Sequence, residues 1–151
     1  MLEKLLNGQL GVQHMNDLIE LLYRQRKQLR HVAETMWNSK YELHLTSSEW
    51  SVLKSISEGK RTVPELVVQL DITKQGVHKF LQSLQDKELI KTELVKGTKL
   101  QKVASLTDKG QDAMQKSLAL DYEISEMVRA SIGHEQYEQL ISILGKPLIS
   151  N

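Results

Sequence analysis

Apolar residues recur along this chain at two different periods, and the places where the period changes mark out its elements. From residue 13 to about 38, Met15, Leu18, Ile19, Leu22, Leu29, Val32, Ala33 and Met36 return at three- and four-residue steps. That spacing lines one face of a long amphipathic helix. Residues 41–45 read as a connector. Thr46-Ser47-Ser48-Glu49 then has the capping-box pattern, in which a hydroxyl and a carboxylate each satisfy a backbone amide at a helix start. The helix it opens carries Trp50, Leu53 and Ile56 and stops near Gly59. Thr62-Val63-Pro64-Glu65 repeats the pattern, with Pro64 in the first turn, where its missing N–H costs nothing. Leu66, Val67 and Leu70 face inward, Asp71-Ile72 makes a tight turn, and Thr73 caps a further helix with apolar positions Val77, Phe80, Leu81 and Leu84. Gly76, a weak helix former, is assigned to a close approach of these two helices.

Glu88 and Leu89 end that helix, and the pattern becomes β-like. Residues 90–95 and 101–106 are β-capable runs separated by Lys96-Gly97-Thr98-Lys99, where Gly97 supplies the freedom of a hairpin turn. Thr107-Asp108 caps a second long helix that runs to about residue 131, with Ala113, Met114, Leu118, Tyr122, Met127 and Val128 as its stripe. Gly133 breaks it. A final helix carries Tyr137, Leu140, Ile141 and Leu144 and is closed by Gly145 and Pro147. The expected fold class is mainly α with a small β-hairpin. Two short capped helices followed by a basic hairpin, over residues 62–102, is the order of a winged helix-turn-helix, which presents one helix to a DNA groove. The long helices at both ends are hard to bury within one small chain, and a two-fold dimer would cover both stripes. The predicted organisation is therefore one module over 1–151. Dimerisation helices occupy 13–44 and 107–145, and the winged helix-turn-helix DNA-binding lobe occupies 45–106.

Composition narrows the chemistry. The 151 residues include no cysteine, which excludes a disulfide framework, a thiol nucleophile, a cysteine redox switch and thiolate zinc sites. The first residues lack the apolar core and cleavage site of a signal peptide. No segment approaches the roughly 20 apolar residues of a membrane span, so the expected location is the cytoplasm, with no membrane partner. The net charge of +1 is uninformative, but its distribution is not. Residues 60–106 hold nine Lys/Arg against five Asp/Glu, while residues 107–151 hold four against seven. The positive excess falls on the helix-turn-helix and wing, where a phosphate backbone would be met.

At this point the chain resembles the multiple antibiotic resistance regulator (MarR) family of bacterial transcription factors over roughly residues 13–145. The resemblance is carried by Leu45-Thr46 before Trp50 and Leu53, Glu65-Leu66 through Leu70, Ile72-Thr73-Lys74-Gln75-Gly76-Val77, Leu81 with Leu84, Leu89-Ile90, and Leu106-Thr107-Asp108-Lys109-Gly110. The last of these is similar to the L-T-x-x-G that joins wing to C-terminal helix in that family. The resemblance implies an obligate homodimer, interlocked through its N-terminal and last two helices, on a pseudo-palindromic operator in double-stranded DNA. The recognition helix would present Thr73, Lys74, Gln75, His78 and Lys79. Gln75 suits bidentate pairing with adenine, and Lys74 or Lys79 suits guanine or phosphate. His78 is either a donor to DNA or a solvated surface residue. Lys60, Arg61, Lys96, Lys99 and Lys102 are the candidate wing and phosphate contacts. Family members often carry Asp-x-Arg at the wing tip, whose arginine enters the minor groove. Here those positions are Thr98, Lys99 and Leu100, so specificity should rest on the recognition helix, with the hairpin as a phosphate anchor.

Many relatives bind small aromatic or anionic effectors, and the matching cleft would draw on Tyr23, Arg26, Arg30, Trp37 and Tyr41, with Trp50 more readily read as core. Arg24 and Lys27 extend the same basic cluster, whose simpler reading is a solvated helix face. His31 with Glu34, and Glu42 with His44, do not form a metal constellation, so no metal and no cofactor are expected. No phosphate-binding glycine loop, nucleophile elbow or catalytic carboxylate pair is present, so no enzymatic activity is expected. The expected function is a dimeric, sequence-specific DNA-binding transcriptional regulator, a repressor responding to a small ligand. The alternative is a winged-helix protein-interaction module with weak or no DNA binding, which the missing wing arginine keeps open.

Overall fold

The computed structural model describes residues 17–59, 61–97 and 100–150. Among these, six helices and three strands follow in the order α1 (Leu18–Lys40), α2 (Ser47–Ser57), β1 (Arg61–Thr62), α3 (Val63–Leu70), α4 (Lys74–Asp86), β2 (Ile90–Lys96), β3 (Leu100–Leu106), α5 (Asp108–Ile132) and α6 (His134–Leu144). The start expected for the first helix at residue 13 lies outside the described residues. The described residues divide into two compact units, one within residues 41–119 and one of residues 17–40 with 120–150.

The central unit is built by its caps. Thr46 Oγ1 accepts from Glu49 N and the Glu49 carboxylate accepts from Thr46 N, so α2 starts on a complete capping box. Thr62 and Glu65 do the same for α3, with Pro64 in the first turn. Asp71 ends α3 in the left-handed region, at φ 50°. Thr73 Oγ1 then accepts from Gly76 N at 3.0 Å to open α4. Apolar faces of α2, α3, α4 and the strands close over Val52, Leu53, Ile56, Leu66, Val77, Leu81, Leu84, Leu89, Ile90 and Ala104. Burial of each such side chain contributes about 1.5–3 kcal/mol, which is what holds these short helices in place.

The sheet has three strands, not two. β1 pairs antiparallel with β3, placing Arg61 opposite Ala104 and Thr62 opposite Val103, and the strand order is β1-β3-β2. A two-residue strand has no period of its own, so the sequence pattern passed over it. Two glycine assignments also change. A Cβ on Gly76 would meet Ile72 Cγ2 at 2.8 Å, so the close neighbour is the turn before α4 and not the body of α3. Gly97 has no left-handed φ and no neighbour within 4 Å of an added Cβ, so the hairpin does not draw on its freedom.

The joint between wing and α5 is the tightest point of this unit. Glu88 sits at φ 61°. Thr107 N donates to Leu89 O, and Thr107 Oγ1 donates to Glu88 O at 2.6 Å while accepting from Gly110 N at 3.1 Å. Lys109 Nζ reaches Lys87 O at 3.0 Å. A Cβ on Gly110 would lie 2.0 Å from Leu89 O, a backbone atom. Only glycine lets the first turn of α5 lie on this strand entry.

In the other unit, Trp37, Leu120 and Ile124 are buried, and Lys40 Nζ bonds both Glu123 carboxylate oxygens at 3.2 and 3.3 Å. Gly133, at φ 92°, separates α5 from α6. Arg129 bridges the break: its guanidinium contacts Glu126 and Glu138, with the Tyr137 ring centroid 4.2 Å away. Much of this unit's apolar surface is exposed, including Leu18, Ile19, Leu22 and Leu29 of α1, Tyr122, Met127 and Ile132 of α5, and Ile141 and Leu144 of α6.

Candidate nucleic-acid interface

α4 has two sharply different faces. Val77, Leu81 and Leu84 are buried in the core, while Lys74, Gln75, His78 and Lys79 are exposed. The helix period produces this split, since residues three and four apart share a face. No acidic residue lies in the first turn. The positive end of the helix dipole, Lys74 and Lys79 therefore act in the same direction on an approaching anion. Thr73 is held in its cap by Gly76 N, which fixes the start of the helix and hence the aim of the side chains after it.

A second, buried device fixes the other end of α4. Glu49 is 5% exposed. Its carboxylate caps α2 and also accepts from Ser83 Oγ at 2.8 Å and Lys87 Nζ at 2.8 Å. Burial alone would raise its pKa. Hydrogen bonds from Lys87, the Thr46 backbone, Ser83 and the Thr46 side chain outweigh that and hold it below the ordinary carboxylate value. Lys87 also donates to His44 O at 3.2 Å. The capping box was readable from sequence, but this second role was not, because Ser83 and Lys87 lie 34 and 38 residues away.

The predicted phosphate contacts fall in different settings. Lys60 and Lys99 lie outside the described residues. Arg61 is half-buried, its Nε 3.4 Å from Ser55 Oγ and its Nη2 4.0 Å from Glu58. Lys96 and Lys102 are exposed on the hairpin.

Tyr23, Arg26 and Arg30, with Lys27, His31 and Glu34, line a hollow of about 290 Å³ on α1. Trp37 is buried in the same unit. Tyr41 belongs to the central unit, half-buried beneath Lys116, whose Nζ stands 5.0 Å from the ring centroid. Trp50, also in the central unit, packs against the core. No group of three or more His, Cys, Asp or Glu that could hold a metal is found among the described residues, and no helix among them is long and apolar enough to cross a membrane.

Residues 44–99, from the end of the α1–α2 connector to the wing tip, match the MarR family. The winged helix of this chain is similar to that of the MarR family. Solved structures extend that likeness in fold beyond the matched span. MarR from E. coli in its apo form is 17% identical, with a TM-score of 0.73 over 85% of this chain and 95% of that one. The transcriptional repressor CouR bound to a 23-mer DNA duplex is 19% identical, with a TM-score of 0.73 over 91% and 94%. BpsR from Bordetella bronchiseptica, described with a mechanism for regulation of DNA binding by 6-hydroxynicotinic acid, is 14% identical, with a TM-score of 0.70 over 91% and 96%. No curated protein matches the chain in sequence. The L-T-x-x-G run of the MarR resemblance has a physical reason here, since Thr107 and Gly110 are the residues that dock α5 on Leu89.

Proposed function

We propose that this chain is a sequence-specific, DNA-binding transcriptional regulator that works as a homodimer in the cytoplasm, with residues 45–106 as its DNA-binding lobe and the helices within 13–44 and 107–145 as its dimerisation arms. The observation that carries the reading is α4. Its start is fixed by Thr73, its end by the Glu49–Ser83–Lys87 cluster, and its outer face offers Lys74, Gln75, His78 and Lys79 from a rigid frame. Gln75 reads adenine, and Lys74 and Lys79 read guanine or hold phosphate. Lys96 and Lys102 hold backbone phosphates beside it. Lys60, Arg61 and Lys99 join them in the same role, Arg61 by giving up its contacts to Ser55 and Glu58. The exposed apolar stripes of α1, α5 and α6 support dimerisation, because so much apolar surface on a chain of this size marks an interface. CouR's standing as a repressor supports repression as the mode of action. The basic, aromatic hollow on α1 and the effector described for BpsR support control by a small aromatic anion.

The test is selection from a random duplex library. The dimer should enrich an inverted repeat whose half-sites lie about one helical turn, roughly 10 bp, apart. Enrichment of a single half-site would contradict the dimer. Absence of any enriched sequence, even at low salt, would favour a protein-interaction module.

A further inference from the structure

The chain enters the central unit through residues 41–45 and leaves it through α5, and both passages are tied to one residue at the end of α4. Lys87 is the C-cap of α4, its N–H donating back to Ser83 O at 3.1 Å. Its side chain serves the entry: Nζ donates to His44 O at 3.2 Å and to the buried Glu49 carboxylate at 2.8 Å. Its carbonyl serves the exit, accepting from Lys109 Nζ at 3.0 Å. The next two carbonyls do the same, Glu88 O accepting from Thr107 Oγ1 and Leu89 O from Thr107 N. Three successive carbonyls thus hold the first turn of α5. Entry and exit also touch each other, where Lys116 of α5 stands over the Tyr41 ring. Neutralising Glu49 does not by itself account for this arrangement, because Nζ directs a second donor to the backbone of the entry segment.

We infer that Lys87 is a positioning residue that sets the aim of α4 relative to the entry and exit of the chain, and with it the half-site spacing the dimer accepts. The inference rests on the DNA-binding function proposed above. Lys87 itself stands apart from the exposed residues at the start of α4, roughly 20 Å along the helix from Lys74. At that radius a turn of about 5° about the Lys87 end displaces the start of α4 by about 2 Å, enough to break a base-edge hydrogen bond. Changing the spacer of an inverted repeat by one base pair moves each half-site by about 1.7 Å and about 17° relative to the dimer axis. Small changes of aim therefore matter on the scale of one base pair. With Lys87 in place, the entry segment, the start of α2 and the first turn of α5 are joined at one pivot. Without its side chain the core and the Thr107 joint persist, but the entry segment loses its bond to the end of α4. Each lobe is then held less firmly, and half-sites at neighbouring spacings become readable.

The experiment uses the full-length protein, the duplex it selects, the same duplex with its spacer lengthened or shortened by one base pair, and a duplex with a single half-site. Wild type should lose about tenfold or more on either altered spacer, as expected for losing a base contact. K87M should lose about threefold or less on the same change, while its affinity for the single half-site stays within about twofold of wild type. K87R, which keeps the charge and the reach, should restore the wild-type penalty. I56V loosens the core away from this joint and should keep the wild-type penalty, so a general loss of stability does not imitate the effect. Should K87M fail to fold because Glu49 is left buried without its partner, E49Q/K87M removes both charges and carries the same expectation. An equal spacing penalty in wild type and the Lys87 variant, or a loss by the variant that is the same on every duplex, overturns the inference while leaving DNA binding intact. Wild type indifferent to spacing overturns it as well. Failure of wild type to select any sequence overturns the function on which it rests.

Discussion

Replacing Gly110 with alanine separates this structure from a generic helix. At an ordinary helical position the change is favourable by about 1 kcal/mol, since alanine is the better helix former. At Gly110 the new methyl would stand 2.0 Å from Leu89 O, so α5 must move away by more than an ångström. Overpacking of that kind costs about 1–3 kcal/mol. The movement also breaks the bonds from Thr107 N to Leu89 O and from Thr107 Oγ1 to Glu88 O, each contributing about 0.5–1.5 kcal/mol. Offset against the propensity gain, the net loss is about 3 kcal/mol. For a chain of this length that lowers the melting temperature by about 6–12 °C. Gly97→Ala is the control, because nothing lies within 4 Å of an added Cβ there. Thermal unfolding followed by circular dichroism should show a marked drop for G110A and little change for G97A. An unchanged or raised melting temperature for G110A would refute the docking of α5 on Leu89.

Three further outcomes follow from the same geometry. Glu49→Gln should cost about 1–2 kcal/mol at neutral pH, through weaker bonds to Ser83 and the half-exposed Lys87. Because the folded-state pKa of Glu49 is depressed, its contribution is present above the unfolded value and lost as pH falls through the folded one. Urea unfolding across the acid range should therefore show wild type and variant converging at low pH, and a pH-independent gap would count against the charged cluster. Thr73→Ala removes the acceptor for Gly76 N and should cost about 1 kcal/mol in urea unfolding, while a neutral result would show that the cap does not fix α4. Arg129→Ala should speed amide exchange in residues 134–144 and leave residues 47–57 unaffected, since Arg129 bridges α5 to Glu138 and Tyr137 across Gly133.

The helix order, all four hydroxyl caps and the strand pair were legible because their causes are local. A capping box is four residues long, and a period shows within a dozen. What escaped the sequence depends on residues brought together from a distance. β1 exists only because Arg61 and Thr62 meet Ala104 and Val103. The anchoring of α4 by Glu49 needs Ser83 and Lys87. The need for glycine at 110 comes from Leu89. Gly76 and Gly97 were misread for the converse reason, since a glycine's residue type does not reveal which neighbour it faces. At the candidate site, the exposed face of α4 followed from the helix period.

The central claim is that the exposed face of α4 reads bases. Its most direct test compares wild type with Q75A/K79A on the selected duplex and on random DNA at one salt concentration. The account predicts that the variant loses about tenfold or more on the selected duplex, as expected for losing a base-edge contact, and much less on random DNA. An equal loss on both would mean that these side chains only attract phosphate, and that α4 does not read sequence.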